Sequence, residues 1–280
     1  MKQFTGKVAV ITGAASGIGR ALAERCAQEG MHVVLADIEA HALSQTTQDL
    51  EAAGARILAV PTDVSRARDI NALAQKTLDT FGAVHLLFNN AGVGMPGSLW
   101  ETSAEDWEWL IGVNLWGVIH GVRIFVPIML KQDADCHIVN TASAAGLISS
   151  PGIGSYKVTK HGVVALSETL YHELTEIGAN IKVSVLCPGP VATRIGEAER
   201  NRPSPLREAL PPVRLSPQHE ARWHALVQAS QAGMSPRQVA ECVFKAVLEE
   251  RFYILTHPAT KAHIQRRMED ILQERNPTQA

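Results

Sequence analysis

The sequence is short of cysteine: its 280 residues include four, Cys26, Cys136, Cys187 and Cys242, none close to another. That spacing excludes a CxxC redox pair, a zinc ribbon and the disulfide framework of a small secreted domain, and leaves free thiols in a reducing compartment as the expectation. An excess of charge is missing too. Lys and Arg number 26 against 28 Asp and Glu, a net charge of −2 with His neutral, so no attraction to nucleic acid or to an anionic membrane is expected. The most apolar stretch, Ile111 to Leu130, is interrupted by Asn114, His120 and Arg123, each costly in hydrocarbon, and reads as a long buried helix. Met1 to Lys7 has neither the apolar core nor the cleavage site of a secretory leader, which points to a cytoplasmic protein. Eleven histidines are present, yet no HxxxH or HExxH string occurs, and no metal site is expected.

What the chain does have is apolar material in a regular rhythm. With 46% hydrophobic residues and 21 glycines it has enough to fill a sizeable core. The strand-like runs Val8–Ile11, His32–Ala36 and Arg56–Val60 lead into helical patterns over Ile18–Gln28, Glu39–Ala53 and Ile70–Thr80, and further runs follow at Leu86–Phe88, Cys136–Asn140, Lys182–Leu186 and Arg251–Leu255. Short, nearly all-apolar runs alternating with helices are the mark of parallel strands covered on both faces. The prediction is a single-domain, Rossmann-type, doubly wound α/β fold over residues 1–280, with a central parallel sheet of about seven strands flanked by helices. From Arg194 to Pro236 no strand-like run occurs, and Pro203, Pro205, Pro211, Pro212 and Pro217 exclude one continuous helix. A loop of that length inside a compact domain predicts a substrate lid at about 194–236. Residues from about 257 to 280 read as a tail.

Thr12-Gly13-Ala14-Ala15-Ser16-Gly17-Ile18-Gly19 follows the first strand and opens the first helix, the setting a dinucleotide-binding turn requires. Gly13 permits the tight turn, Gly17 lets the backbone approach a pyrophosphate, and Gly19 allows close packing, while the helix N-terminus offers free N–H groups to an anion. Ser16 and Ile18 complete the turn. Three residues between Gly13 and Gly17 exclude both GxGxxG and the P-loop. Asp37 ends the second strand, where a carboxylate accepts from ribose hydroxyls and repels a 2′-phosphate. Neither Ser16 nor Ile38 supplies a cation for such a phosphate, so NAD is favoured over NADP.

Taken with Asn89-Asn90-Ala91-Gly92 after the fourth strand and Tyr156-Lys157-Val158-Thr159-Lys160, this turn resembles that of the short-chain dehydrogenase/reductase family. The resemblance extends to Asp63-Val64, Asn114, Ser143 and Pro188-Gly189-Pro190-Val191-Ala192-Thr193. It implies a catalytic set in which Tyr156 exchanges a proton with the substrate oxygen and Ser143 hydrogen-bonds that oxygen. Lys160 also holds the nicotinamide ribose, and Asn114 anchors a water in a proton relay. It implies that Asp63 and Val64 meet the adenine, that the backbone of Asn90, Ala91 and Gly92 lines the adenosine ribose, and that Pro188, Gly189, Val191 and Thr193 hold the nicotinamide end. Asn89 and Thr12 are expected only to support the sheet. Tyr156 and Lys160 stand four apart on one helical face, and an ammonium at ~4 Å with an effective dielectric of ~20 is worth roughly 3 pKa units, which would bring Tyr156 near working pH.

The family's chemistry is hydride transfer between a nicotinamide and a secondary alcohol or ketone, and its members pair through long helices, so a homodimer or homotetramer through Ile111–Leu130 and Val158–Leu174 is expected. The long lid suggests a bulky substrate, aromatic or alicyclic, faced by a small apolar wall of Gly94, Met95, Pro96, Ala144 to Ser149 and Ile153. Trp100, Trp107, Trp109 and Trp116 read as helix packing and subunit contact, with a substrate-facing aromatic as the alternative. The arginines Arg194, Arg200, Arg202, Arg207, Arg214 and Arg222 could serve an anionic substrate, but Glu197, Glu199, Glu208 and Glu220 are interleaved with them, and a solvated, salt-bridged lid surface is the preferred reading. Three alternatives stay open: a non-catalytic nucleotide-binding regulator on the same fold, a reductase preferring NADP, and a sugar-nucleotide epimerase or dehydratase. The complete Asn114, Ser143, Tyr156 and Lys160 set speaks against the first, and the three-residue spacing between the first glycines against the last.

Overall fold

A computed structural model describes residues 1–203 and 216–278. The strands are β1 (Val8–Thr12), β2 (His32–Asp37), β3 (Ile57–Pro61), β4 (Leu86–Asn89), β5 (Cys136–Thr141), β6 (Ile181–Cys187) and β7 (Tyr253–Leu255). They form one sheet in the order β3-β2-β1-β4-β5-β6-β7, and every neighbouring pair is parallel. Strand order reverses between β1 and β4, the switch point outside whose strand ends such sheets bind their ligands. Among the described residues nine α-helices flank the sheet: α1 (Gly17–Gln28), α2 (Ala40–Ala52), α3 (Ala67–Phe81), α4 (Ala104–Ile111), α5 (Gly117–Lys131), α6 (Gly154–Glu176), α7 (Pro217–Gln231), α8 (Pro236–Leu248) and α9 (Thr260–Leu272).

Alternation along the strands divides the core in two. Ala9 and Ile11 of β1, with Val33 and Leu35 of β2, pack against Leu22 and Cys26 of α1, Leu43 of α2 and Val243 and Phe244 of α8. Val8 and Val10, with Val34 and Ala36, face the other way, toward Ile70 and Leu73 of α3, Phe125 of α5 and Leu170 of α6. Both layers bury their strands, which is why the runs carry almost no polar residues. All four cysteines are free, and three of them are buried.

The long apolar helix differs from its expectation in two ways. It starts earlier, at Ala104, because Ser103 Oγ accepts from Asp106 N and caps it, and it continues through a π-helical stretch, Gly112–Trp116, into α5. Ala104–Lys131 is long and apolar enough to cross a membrane by length and composition, but only part of it is buried: Asn114, Val118 and Phe125 face inward, while Trp116 and Leu130 are exposed. The lid region holds no strand among its described residues. It begins as a 3-10 segment, Ile195–Asn201, and resumes as α7, which Ser216 caps and Pro217 opens at the first helical position. Pro205, Pro211, Pro212, Arg207, Arg214 and Glu208 lie outside the described residues. The segment read as a tail instead carries helix α9.

Candidate active site

The C-terminal ends of β1, β2, β4, β5 and β6 open onto one cavity of about 420 Å3. Of the candidate catalytic and cofactor residues named from the sequence, all line it except Gly19 and Asn114. At one end, Gly13 and Gly17 adopt φ of +66° and +54°, conformations that favour glycine. A Cβ on Gly13 would lie 2.8 Å from Ala91 Cα, and one on Gly17 would meet Thr193 Cγ2 at 3.0 Å. Gly19 lies behind the turn, where a Cβ would overlap the Gly13 carbonyl oxygen. The close packing expected of Gly19 is therefore against its own turn. Ser16, the N-cap of α1, makes no side-chain capping bond, so first-turn N–H groups of α1 stay available to an anion.

Asp37 Oδ2 accepts from Ala15 N and Oδ1 from Glu39 N, both at 2.9 Å. Burial pushes this carboxyl up, and the two N–H donors pull it back. Asp37 thus ties the glycine turn to the start of α2, and each oxygen keeps a lone pair for a ligand. A cation does stand nearby, contrary to the reading of the local sequence: Arg200, from the lid, meets Glu39 Oε1 at 2.9 Å, and both line the cavity. Asp63 is held by Ser65 and by Arg66 at 3.0 Å. Thr12 does more than support β1, since its Oγ1 accepts from the N–H groups of both Asn90 and Ala91. Asn89 is confined to the core, donating to Asn140 Oδ1.

At the other end, Ser143 caps a short 3-10 turn, Ala144–Gly146, through Ala145 N, its hydroxyl donates to the Pro188 carbonyl at 3.4 Å, and both Ser143 and Tyr156 line the cavity. Lys160 Nζ donates to the Thr141 carbonyl at 2.9 Å and lies 5.6 Å from the centre of the Tyr156 ring. This changes the electrostatic expectation. Burial pushes the Tyr156 phenol up to about 12, with the neighbouring Ser143 hydroxyl as the opposing influence, and burial brings Lys160 down to about 8. The spacing argument placed the ammonium against the phenol oxygen; the structure turns it toward a backbone carbonyl and desolvates both groups, so desolvation decides the direction.

Asn114 sits in the π-helical stretch, fully buried. Its Oδ1 accepts from Val93 N at 2.8 Å, and its Nδ2 donates to Val93 O and to Thr159 Oγ1. Both amide donors are therefore occupied in fixing the strand after Gly92 to α6, and the side chain is a positioning group outside the cavity. Ala144, Ala145, Ile148, Ile153, Gly94 and Met95 line this end as expected, whereas Pro96, Gly146, Leu147 and Ser149 do not.

Sequence reasoning missed three features of this end. Trp109, read as helix packing, lines the cavity with Arg202 stacked on its ring at 4.6 Å. Arg202 is 7% exposed and pairs with buried Asp106 at 2.6 Å, so this lid arginine is no part of a solvated surface. Trp223, Leu226 and Ser230 of α7 add a further wall; their spacing of three and four places them on one helical face, a signal present in the sequence but masked there by the surrounding charge.

A family model described as short chain dehydrogenase matches residues 7–204. The "CLA biosynthesis dehydrogenase/reductase" of Lactiplantibacillus plantarum is 35% identical over 277 residues, covering 99% of this chain and 97% of that one. The cyclohexanol dehydrogenase of an Acinetobacter strain is 37% identical over 209 residues, 73% of this chain and 82% of that one. A crystal structure of a short chain dehydrogenase/reductase from Burkholderia phymatum in complex with NAD superposes with a TM-score of 0.96 at 52% identity, covering 100% of this chain and 99% of that one. The matched span contains the glycine turn, Asn114, Ser143, Tyr156 and Lys160, and on these grounds the chain belongs to the short-chain dehydrogenase/reductase family of oxidoreductases.

Proposed function

We propose that the protein interconverts a secondary alcohol and a ketone, the carbon skeleton bulky and aromatic or alicyclic, with NAD as the partner and alcohol oxidation as the working direction. The observation that carries this reading is the grouping of Ser143, Tyr156 and, one helical turn on, Lys160 at one end of a cavity that runs to the glycine turn and Asp37. The cradle suits a dinucleotide: two left-handed glycines, uncapped N–H groups of α1 and a backbone-fixed carboxylate lie along one wall. Asp37 would take the adenosine ribose, and Lys160 the nicotinamide ribose. The bound nicotinamide supplies the hydride acceptor and a positive charge beside the phenol. Ser143 and Tyr156 hold the substrate oxygen between two hydroxyls, and Tyr156 takes the alcohol proton or returns it to the ketone. With Asn114 committed through its side chain to Val93 and Thr159, a relay water would be anchored by its main chain.

Asp37 favours NAD, and Arg200 beside Glu39 is the observation that keeps NADP in view. Four free thiols support a reducing, cytoplasmic setting. The exposed Trp116, Leu130, Val158 and Tyr171 on the two long helices support pairing of subunits there, as a dimer or tetramer.

The test is absorbance in the reduced-nicotinamide band over a panel of secondary alcohols and ketones, with NAD and NADP in parallel. Tyr156→Phe is expected to lower kcat by about 10²- to 10⁴-fold, and unchanged turnover would remove Tyr156 from the reaction. Asp37→Ala is expected to raise the relative use of NADP; no change would show that carboxylate repulsion does not set the preference.

A further inference from the structure

The wall expected to be small and apolar contains an ammonium group. Lys157 follows the candidate acid/base directly, and Tyr156, Lys157 and Lys160 of α6, together with the N-cap residue Ile153, all line the cavity. Lys157 is 7% exposed. Among the described residues its Nζ has one hydrogen-bond partner, the Ile148 carbonyl, at a long 3.4 Å, and no ion pair with any carboxylate. Lysine is almost never buried to this degree unless paired. Lys160, also buried, has its closer backbone partner in Thr141 and its place beside Tyr156. Lys157 has neither. Around it the cavity offers Ile148, Ser150 and Ile153 and no acidic side chain of its own, the acidic lining residues Asp37, Glu39 and Asp63 all belonging to the β2 and β3 end.

We propose that Lys157 is a substrate-binding residue that takes an anionic group, a carboxylate, on the same molecule whose hydroxyl or carbonyl meets Tyr156. The substrate class is thereby narrowed from neutral secondary alcohols to hydroxy acids and keto acids in which a bulky apolar skeleton separates the two oxygen functions. The carboxylate supplies the counter-charge that the described residues do not, and accepts two of the three ammonium hydrogens. Burial brings Lys157 down to about 8, which leaves it mostly protonated at neutral pH, as such a role requires.

This inference rests on the proposed alcohol–ketone reaction, and its test separates the two. The probes are 3- and 4-hydroxycyclohexanecarboxylate, their methyl esters, and cyclohexanol, each assayed for NAD reduction with wild type, Lys157→Met and Lys157→Arg. The readout is the ratio of kcat/KM for an acid to that for its own ester, which cancels any loss common to both. In wild type the ratio is expected to be at least about tenfold in favour of an acid, in Lys157→Met about one, and in Lys157→Arg close to the wild-type value. A wild-type ratio of one, which requires no folded variant to observe, overturns the proposal, as does a ratio that survives in Lys157→Met. Turnover of cyclohexanol and the esters without acid preference leaves the alcohol–ketone reading standing and removes only the carboxylate; no turnover of any probe or of the wider panel removes both.

Discussion

At the β1–β2 end of the cleft the walls are held by backbone: Asp37 bonds two N–H groups, Thr12 bonds two more in the loop after β4, and Gly13, Gly17 and Gly19 meet their neighbours with no room for a methyl. At the Tyr156 end they are held by side chains that reach across from other elements, Arg202 to Asp106, Lys160 to Thr141, Trp109 and Trp223 onto the cavity. The first kind of wall is fixed by conformation and tolerates almost no change. The second is a set of replaceable contacts, which is where a family with one cofactor chemistry varies its substrates.

The strongest way to break this contrast is Gly19→Ala. The added methyl has to displace the Gly13 carbonyl or the Asn90 side chain, neither of which yields without opening the turn. The expected cost is about 4 kcal/mol or more of stability, with cofactor binding abolished, as measured by denaturant unfolding and by titration of nicotinamide fluorescence. Near-normal stability and binding would show that this end is as adaptable as the other.

The same contrast explains what the sequence disclosed. A backbone-built wall leaves its mark locally: Gly13 and Gly17 are glycines because their φ is positive, and Asp37 ends β2. The strands were legible for a similar reason, since burial on both faces writes an apolar run; β3 and β7 start one and two residues later than their runs, at Ile57 and Tyr253. The side-chain wall leaves no local mark. Arg202 resembles its solvated neighbours until Asp106, nearly a hundred residues earlier, is brought against it. Trp109 resembles a packing residue until the lid crosses it. The Tyr156–Lys160 pair was visible as a spacing, but the direction of the phenol shift depended on where Lys160 Nζ points, and that is set by Thr141 on β5.

Arg202→Met tests the side-chain wall. It leaves Asp106 buried at the lid root without its guanidinium, and removal of one partner of a buried pair costs about 3 kcal/mol. The expected result is a rise of about 100-fold in KM for a bulky alcohol, with the KM for NAD within about twofold. Equal damage to both constants would mean that the lid and the cofactor cradle form one cooperative unit. Adding Asp106→Leu is expected to recover part of the loss, as removal of both charges relieves the stranded one.

Tyr156 gives a pH signature at the same end. Its folded pKa lies above the ordinary phenol value, so the base form needed to accept the alcohol proton becomes more available as pH rises, while the acid form needed for ketone reduction is already present at neutral pH. Alcohol oxidation is expected to gain up to about tenfold in kcat/KM for each pH unit between 7 and 9, and ketone reduction to stay flat or fall. The opposite ordering in initial-rate profiles would mean that the phenol is not the proton acceptor.

The smallest effect belongs to an ion pair that joins the two ends. Arg200 on the lid and Glu39 at the start of α2 are both partly exposed, and Arg200 is also anchored by the carbonyls of Arg194 and Glu197. An exposed pair of this kind contributes about 0.5 kcal/mol and is screened by salt. Arg200→Gln is therefore expected to raise the KM for NAD only about two- to threefold at low ionic strength, with the difference fading as salt is added. A tenfold or larger, salt-insensitive effect would mean that the lid takes a direct part in holding the cofactor, and the division of the cleft into a backbone-built and a side-chain-built end would fail at its boundary.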